Sequence, residues 1–238
     1  MSFTRRVLYT AKAYLFPVFC VACQQEGSWL CAGCIRALDV SPQLFCPLCH
    51  ASTDTGEVCM RCTQISFSCL ITRHIATVKY QEKESIGKLI HILKYEYAED
   101  VMEAISVLLN IFVTEYTHIF PQVDMIVPVP LHTKRFVERG FNQASLISEA
   151  LSTHIQIPVE QHILFRIRHT PHQAKLERTA RLKNVKGAFH VDLPDRIRGM
   201  RVLLVDDVYT TGATMQACAK ALHDAGASCI YGFTLARG

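Results

Sequence analysis

The stretch VLLVDDVYTTGAT, Val202 to Thr214, decides how this chain is read. Four apolar residues make a buried strand, two adjacent carboxylates (Asp206 and Asp207) stand at its carboxyl end, and a Thr/Gly turn opens a helix. That is the place where open α/β sheets bind ligands. The backbone N–H groups of Thr210, Thr211, Gly212, Ala213 and Thr214, with the threonine hydroxyls, can cradle a phosphate at the helix N-terminus. Gly212 lets the backbone approach without a Cβ in the way. Asp206 and Asp207 can accept hydrogen bonds from vicinal ribose hydroxyls, which suits a sugar phosphate better than a bare anion. The plain alternative is a helix-entry acid followed by a tight connection. The order of strand, acid pair, turn and helix favours the ligand site.

Working outward, strands and helices alternate. Cys69 to Tyr80 has the β-branched enrichment of a strand, and Ile86, Leu89, Ile90 and Leu93 then share one helical face. A second helical pattern runs through Val101, Ile105, Leu108, Leu109 and Phe112. MIVPVP at 125–130 reads as a strand, Asn142 to His154 as a helix, and Val159 to Ile167 as an alternating strand. Residues 168–187 are basic and loop-like. MRVLLV at 200–205 is a buried strand, Thr214 to Ala225 a helix stopped by Gly226, and Cys229 to Leu235 a last strand. The expected fold class is α/β, a mostly parallel sheet with helices on both faces.

The 238 residues, half of them apolar, can build a real core, and 19% charged residues exclude a polyelectrolyte. The net charge of +4 is small but unevenly placed. Between His162 and Lys186 stand Arg166, Arg168, Lys175, Arg178, Arg181, Lys183 and Lys186 against Glu177, a local +6 that leaves −2 for the rest. No 18-residue apolar stretch is free of charge or proline, so no membrane span is expected. Arg5 and Arg6 precede apolar residues, but Lys12 and Pro17 interrupt them and no small-residue cleavage site follows, so an export signal is rejected and the cytosol expected.

Eight of the 11 cysteines fall in the first 62 residues as four Cys-x-x-Cys pairs: Cys20/Cys23, Cys31/Cys34, Cys46/Cys49 and Cys59/Cys62. Each turn aims two sulfurs at one point, and two turns close a tetrahedral Zn²⁺ site, so two structural zincs are expected. Sequential pairing gives two ribbons and interleaved pairing a cross-braced finger; the short spacing between successive knuckles favours the ribbons. A thioredoxin-like redox motif needs one such pair on a βαβ unit, not four in a turn-rich segment. His50 reads as a surface residue, and Cys69, Cys218 and Cys229 as core residues. Residues 1–66 are therefore expected to form a cysteine-rich double zinc-ribbon module and 67–238 the sheet domain.

VLLVDDVYTTGAT resembles the phosphoribosyl pyrophosphate loop of the type I phosphoribosyltransferases. VPVPLHTKRFVERGFNQA (Val127 to Ala144), then Arg168, Thr170, Gln173, Leu176, Arg181, Asn184 and Phe189, with the Cys-x-x-Cys module in front, resemble the ComF family of competence proteins, which includes GntX. The resemblance spans nearly the whole chain. It implies a zinc ribbon joined to a phosphoribosyltransferase fold and a role in handling single-stranded DNA during natural transformation, with a competence helicase or recombination loader as partner. Carried onto this sequence, it implies Asp206 and Asp207 on the ribose hydroxyls and Mg²⁺-associated water, Thr210 to Thr214 on the 5′-phosphate, and Lys134, Arg135 and Arg139 on the pyrophosphate. The plain reading of those three is a solvated basic loop, and Asn142 reads equally as a helix cap. The segment 166–186 corresponds to a loop that closes over substrate; Arg168, Lys175 and Arg181 are its candidate DNA contacts.

Fold and loop do not establish a reaction. If chemistry occurs, it is displacement of pyrophosphate at C1 of the ribose. No base-recognition pocket is legible, so the sequence leaves catalysis open. Three functions compete: a competence factor binding phosphoribosyl pyrophosphate and single-stranded DNA, a nucleobase salvage enzyme with a zinc appendage, and a zinc-ribbon transcription protein sensing a nucleotide precursor. A salvage enzyme has no need of a ribbon, and no recognition helix supports the third.

Overall fold

The computed structural model describes residues 17–65, 69–96, 98–169, 185 and 187–238. Lys175 and Arg181 lie outside these residues. In chain order the elements are α1 (Ala32–Arg36), β1 (Gln43–Leu44), α2 (Met60–Gln64), β2 (Arg73–Lys79), α3 (Ser85–Tyr95), α4 (Val101–Tyr116), β3 (Met125–Pro128), α5 (Thr133–Arg139), α6 (Gln143–Ile155), β4 (Leu164–Arg166), β5 (Phe189–Val191), β6 (Arg201–Tyr209), α7 (Ala213–Asp224) and β7 (Cys229–Arg237).

The main sheet has the order β1-β2-β7-β6-β3. Strands β2, β7, β6 and β3 are parallel, and β1 runs antiparallel to β2. Both faces are apolar, as a sheet covered on both sides requires. Along β6, Leu203 and Val205 face α3, α4 and α6, while Val202 and Leu204 face α7. Asp124 at the foot of β3 clamps the first residue of β6: its carboxylate accepts from the Arg201 Nη2 at 2.7 Å and from the Arg201 backbone N–H at 2.8 Å.

Three expectations are refined. Strand β6 does not stop at Val205 but continues through the acid pair to Tyr209, in register with β7 as far as Arg237. The alternating segment 159–167 is split: Val159 makes a single parallel bridge to Ile126, a turn follows, and β4 pairs with β5 in a separate two-stranded sheet. The basic stretch after β3 is a helix, α5, capped by the His132 Nδ1 on the Lys134 N–H and ended by Gly140 in the left-handed region at φ +82°. Its Phe136 and Val137 are exposed, so it has no apolar stripe by which a helix is usually read.

The cysteine-rich segment is packed into this sheet. Strand β1 comes from it and pairs Gln43 with Ala76 and Leu44 with Ile75. Phe45 is fully buried, 4.8 Å from the His74 ring, 4.8 Å from that of Tyr209, and 4.2 Å below the Arg237 guanidinium. Val21, Leu30 and Ile35 enter the same core as α3 and α4. Trp29 donates its indole N–H to Asp100 at 3.0 Å, and Lys88 donates to the Val21 carbonyl at 3.0 Å. Phe45→Ala should therefore lower the stability of the whole chain by about 3–5 kcal/mol, the cost of emptying a buried phenyl site. The expected outcome is one thermal transition moved down. A separate low-temperature transition with the sheet's own melting unchanged would show the segment to be energetically independent.

Candidate functional site

The acid pair is held at the mouth of the sheet by its own backbone and by one lysine. Asp206 accepts from the Asp207 N–H at 2.9 Å, and Asp207 from the Val208 N–H at 2.7 Å. The second oxygen of Asp207 is 2.6 Å from the Lys94 Nζ, an ion pair in which Asp207 is buried and Lys94 largely so. Lys94 is a residue the motif search missed. Its signal is positional: Ile86, Ile90 and Lys94 stand one turn apart on α3, so the lysine continues a buried stripe. Burial opposes the lysine's charge, but Asp207 outweighs it and leaves the ammonium more basic than usual. Among the described residues no ion pair is formed by Asp206. Burial and then the neighbouring Asp207 charge raise it to about 7, against the pull of Lys94.

An open cleft of about 1040 Å³ lies over this pair. Its walls include Lys94, Arg135, Arg139 and Arg166, Tyr80 and Tyr95, and Asp206, Asp207, Thr210 and Thr214 from the β6–α7 connection, with Glu82, Lys83, Lys88 and Glu96 also lining it. Arg135 and Arg139 stand one turn apart on α5 and share the cleft; Lys134 is exposed and does not line it. Arg139 donates to the Gln143 side-chain Oε1 and lies 5.7 Å from the Tyr95 ring centre. Arg166, the first residue of the basic segment, stands not in a loop but at the end of β4; its guanidinium lies 5.4 Å from the Phe189 ring centre. Burial, and then the nearby Arg135, lower its pKa, so these cations repel one another across a space that an anion would fill.

Thr211, Gly212 and Ala213 form the turn behind Thr210 and Thr214, with Gly212 as the N-cap of α7. Gly212 has φ +71°, and a Cβ there would lie 2.2 Å from the Tyr209 hydroxyl oxygen. The glycine is thus required by the ring beneath it as well as by its backbone. Asn142 does cap α6, accepting from Ala144 N–H at 3.1 Å, and its amide donates to the Val129 carbonyl at 3.0 Å, which ties α6 to the strand that floors the cleft. Arg168 is exposed and does not line the cleft.

The eight knuckle cysteines group sequentially. Cys20, Cys23, Cys31 and Cys34 bring four sulfurs within 4.8 Å of one another, as do Cys46, Cys49, Cys59 and Cys62. The sulfurs of Cys23 and Cys31 are 3.7 Å apart and those of Cys49 and Cys59 3.6 Å, near the edge of about 3.8 Å of a tetrahedron with Zn–S bonds of about 2.3 Å. Burial disfavours thiolates at Cys20 and Cys46. Backbone N–H groups aimed at each sulfur, such as those of Cys31 and Cys49, outweigh it and bring both to about 6. The neighbouring thiols at Cys34, and burial followed by the neighbouring thiols at Cys62, push these two up to about 12. A divalent cation relieves that crowding, so the donor set fits zinc. Cys218 is buried core; Cys69 is partly buried, its thiol on the Ile71 carbonyl at 3.2 Å. His50 is half-buried, its ring 5.3 Å from that of Tyr209.

Residues 147–238 match the family model described as a phosphoribosyl transferase domain. Over 228 residues the chain is 32% identical to the DNA utilization protein YhgH of Escherichia coli, covering 93% of this chain and 97% of that protein. It is 32% identical over 230 residues to Competence protein F of Haemophilus influenzae, covering 93% and 98%. To Competence protein ComFC of Bacillus subtilis it is 30% identical over 216 residues, covering 87% and 84%. The chain belongs to the ComF family. This ComF protein thus joins a phosphoribosyltransferase-type sheet domain to two N-terminal four-cysteine clusters, and among the described residues no helix is long and apolar enough to cross a membrane.

Two outcomes are expected. Metal analysis of protein purified without chelators should give two Zn²⁺ per chain. The acid pair should respond asymmetrically to isosteric neutralisation. Asp206 has a folded pKa near 7 against 3.8 unfolded, so its contribution to stability is full below the unfolded value and is lost as pH rises through 7. Asp206→Asn should therefore raise Tm at pH 8 and leave it unchanged near pH 4. Asp207→Asn strands the Lys94 ammonium and should lower Tm at pH 8. At about 2–4 °C per kcal/mol for a chain of this size, scanning calorimetry resolves both; shifts of the same sign at pH 8 would refute the asymmetry.

Proposed function

We propose that the cleft binds phosphoribosyl pyrophosphate with Mg²⁺, and that the chain binds single-stranded DNA in the service of competence, the word that the names of two of its relatives carry. One observation carries the first half. An acid pair and a Thr/Gly turn at the end of a parallel strand face Lys94, Arg135, Arg139 and Arg166 across one cleft. A ligand with vicinal hydroxyls at one end and phosphates at the other satisfies both charges at once. Asp206 and Asp207 accept the hydroxyls, Thr210 to Thr214 receive the 5′-phosphate, and Arg135 and Arg139 with Arg166 take the pyrophosphate. Bound Mg²⁺ supplies charge neutralisation of the pyrophosphate, and the donor set of two adjacent carboxylates in a cleft that Arg135, Arg139 and Arg166 also line suits a hydrated ion carried in by the ligand.

The second half is supported by the rim of the cleft. The rings of His132 and His169 meet at 5.2 Å and bring the start of α5 beside the residues after β4. Along this rim Phe136, Val137 and Ile167 are 48, 77 and 62% exposed, interleaved with the exposed Lys134 and Arg168. Apolar and basic side chains in alternation give a single strand surfaces for stacking and for phosphate contact without reading its sequence. Lys175 and Arg181, which follow Arg168 in the basic stretch of the sequence, lie outside the described residues.

Isothermal titration of Mg²⁺–phosphoribosyl pyrophosphate should show binding that Arg135→Ala weakens at least about tenfold, near 1.4 kcal/mol. Fluorescence anisotropy of a labelled single strand should give a slope of log affinity against log salt between roughly −2 and −3 for three or four phosphate contacts. Phe136→Ala should weaken DNA binding with the slope kept, and Arg168→Ala should flatten the slope. An unbound ligand in the titration removes the first half of the reading; a salt-independent or undetectable DNA signal removes the second.

A further inference from the structure

The second cysteine cluster and the phosphate turn share one hydrogen-bond acceptor. The carbonyl of Pro47, inside the Cys46–Cys49 knuckle, accepts from the Tyr209 hydroxyl at 2.8 Å and from the Gln216 amide at 3.4 Å. Tyr209 stands three residues before Gly212 and Gln216 four residues after it, so the knuckle holds the turn from both of its ends. The Tyr209 side chain is buried, and its ring lies 4.8, 5.3 and 4.4 Å from those of Phe45, His50 and His74. Phe45 precedes Cys46 and His50 follows Cys49, so both ends of the knuckle grip the ring. Arg237 closes the group from β7, donating to the His50 carbonyl and lying over Phe45. Above the ring, the hydroxyl oxygen occupies the place a Gly212 Cβ would need.

We propose that the Cys46/Cys49/Cys59/Cys62 cluster is the support of the phosphate turn, with Tyr209 the positioning residue that transmits the knuckle's shape to Thr210–Thr214. Metal ligation by Cys46 and Cys49 fixes where the Pro47 carbonyl points. The carbonyl fixes the phenol, and the phenol fixes the height of the Gly212 turn over the cleft. Release of the metal frees the knuckle and with it the turn. The first cluster has a different job: its Val21 carbonyl takes Lys88 of α3, and among the described residues no hydrogen bond links that knuckle to the turn. Coupling of this kind is reciprocal, so a ligand that orders the turn must hold the second cluster's metal more tightly by the same factor. The inference deepens the proposed phosphoribosyl pyrophosphate site and rests on it for its ligand arm only.

The test uses the full zinc-loaded chain, with chelator present and thiol alkylation followed cysteine by cysteine by peptide mass spectrometry. Tyr209→Phe keeps the ring and deletes the hydroxyl. It should speed alkylation of Cys46, Cys49, Cys59 and Cys62 about tenfold and leave Cys20, Cys23, Cys31 and Cys34 unchanged, while weakening Mg²⁺–phosphoribosyl pyrophosphate binding about tenfold. In the parent, Mg²⁺–phosphoribosyl pyrophosphate should slow alkylation of the second set alone, and in Tyr209→Phe that protection should shrink. Gln216→Met, which removes the other donor to the same carbonyl, should act in the same direction. If both clusters respond alike to Tyr209→Phe, or neither does, the support is refuted. A parent that binds no phosphoribosyl pyrophosphate overturns the proposed function, whereas the ligand-free alkylation contrast still decides the coupling.

Discussion

Two adjacent carboxylates on a strand at the floor of a cleft repel one another and lose much of their hydration, and the arrangement stands because one of them is paired. Lys94 lies 2.6 Å from Asp207, and much of the molecule can be traced from that contact. The lysine reaches the acid only because α3 is fixed along its length, with Ile86, Leu89, Ile90 and Leu93 in the core. The outer side of α3 is tied by Lys88 to the Val21 carbonyl of the first cysteine knuckle. Removing one partner of a buried ion pair costs far more than the pair itself is worth, because the other charge is left without compensation. The position of α3, and with it the first cluster, is in this sense part of the acid site.

The cysteine clusters supply what a segment of some 50 residues cannot supply by burial alone. Helices α1 and α2 are five residues each and β1 two, lengths at which propensity contributes almost nothing. Thiolate–metal bonds fold such a segment, and its few large apolar side chains are then free to be spent on the sheet. Phe45 and Val21 lie in the sheet domain's cores. The consequence is two lashings of different reach: the first knuckle steadies the helix that carries Lys94, and the second steadies the turn that follows Tyr209.

Local order was legible in the sequence wherever it has a period. The stripes of α3 and α4, the apolar run of β6 and the four equal cysteine spacings all appear in the structure as read, and so does the sequential grouping of the sulfurs. What periodicity cannot show is a contact between residues far apart in the chain. Tyr209 and Pro47 are 162 positions apart, and nothing in TTGA says that its tyrosine neighbour is a strut. Lys94 was missed for the same reason: it sits on an ordinary helix, and only the packing of that helix on the sheet brings it to the acids. Helix α5 was hidden by its exposed Phe136 and Val137, which break the pattern by which a helix announces a buried face.

Within the cleft the acid pair of β6 and the arginines of α5 and β4 limit what can satisfy the site. The acid pair has one lysine bound to it, while burial first, and the Arg135 charge after it, hold the Arg139 and Arg166 guanidinium groups below their usual basicity. A bare cation at the acid pair would leave the arginines repelling; a bare anion at the arginines would leave Asp206 raised to about 7. A single molecule that brings donors to the first and negative charge to the second lowers both costs together, and each half of the site then favours binding at the other through the ligand that spans them. The geometry rewards a bifunctional ligand over the sum of its parts, which is why the spacing between the carboxylates and α5, set by β3, β6 and the Asn142 amide on Val129, matters as much as the residues themselves.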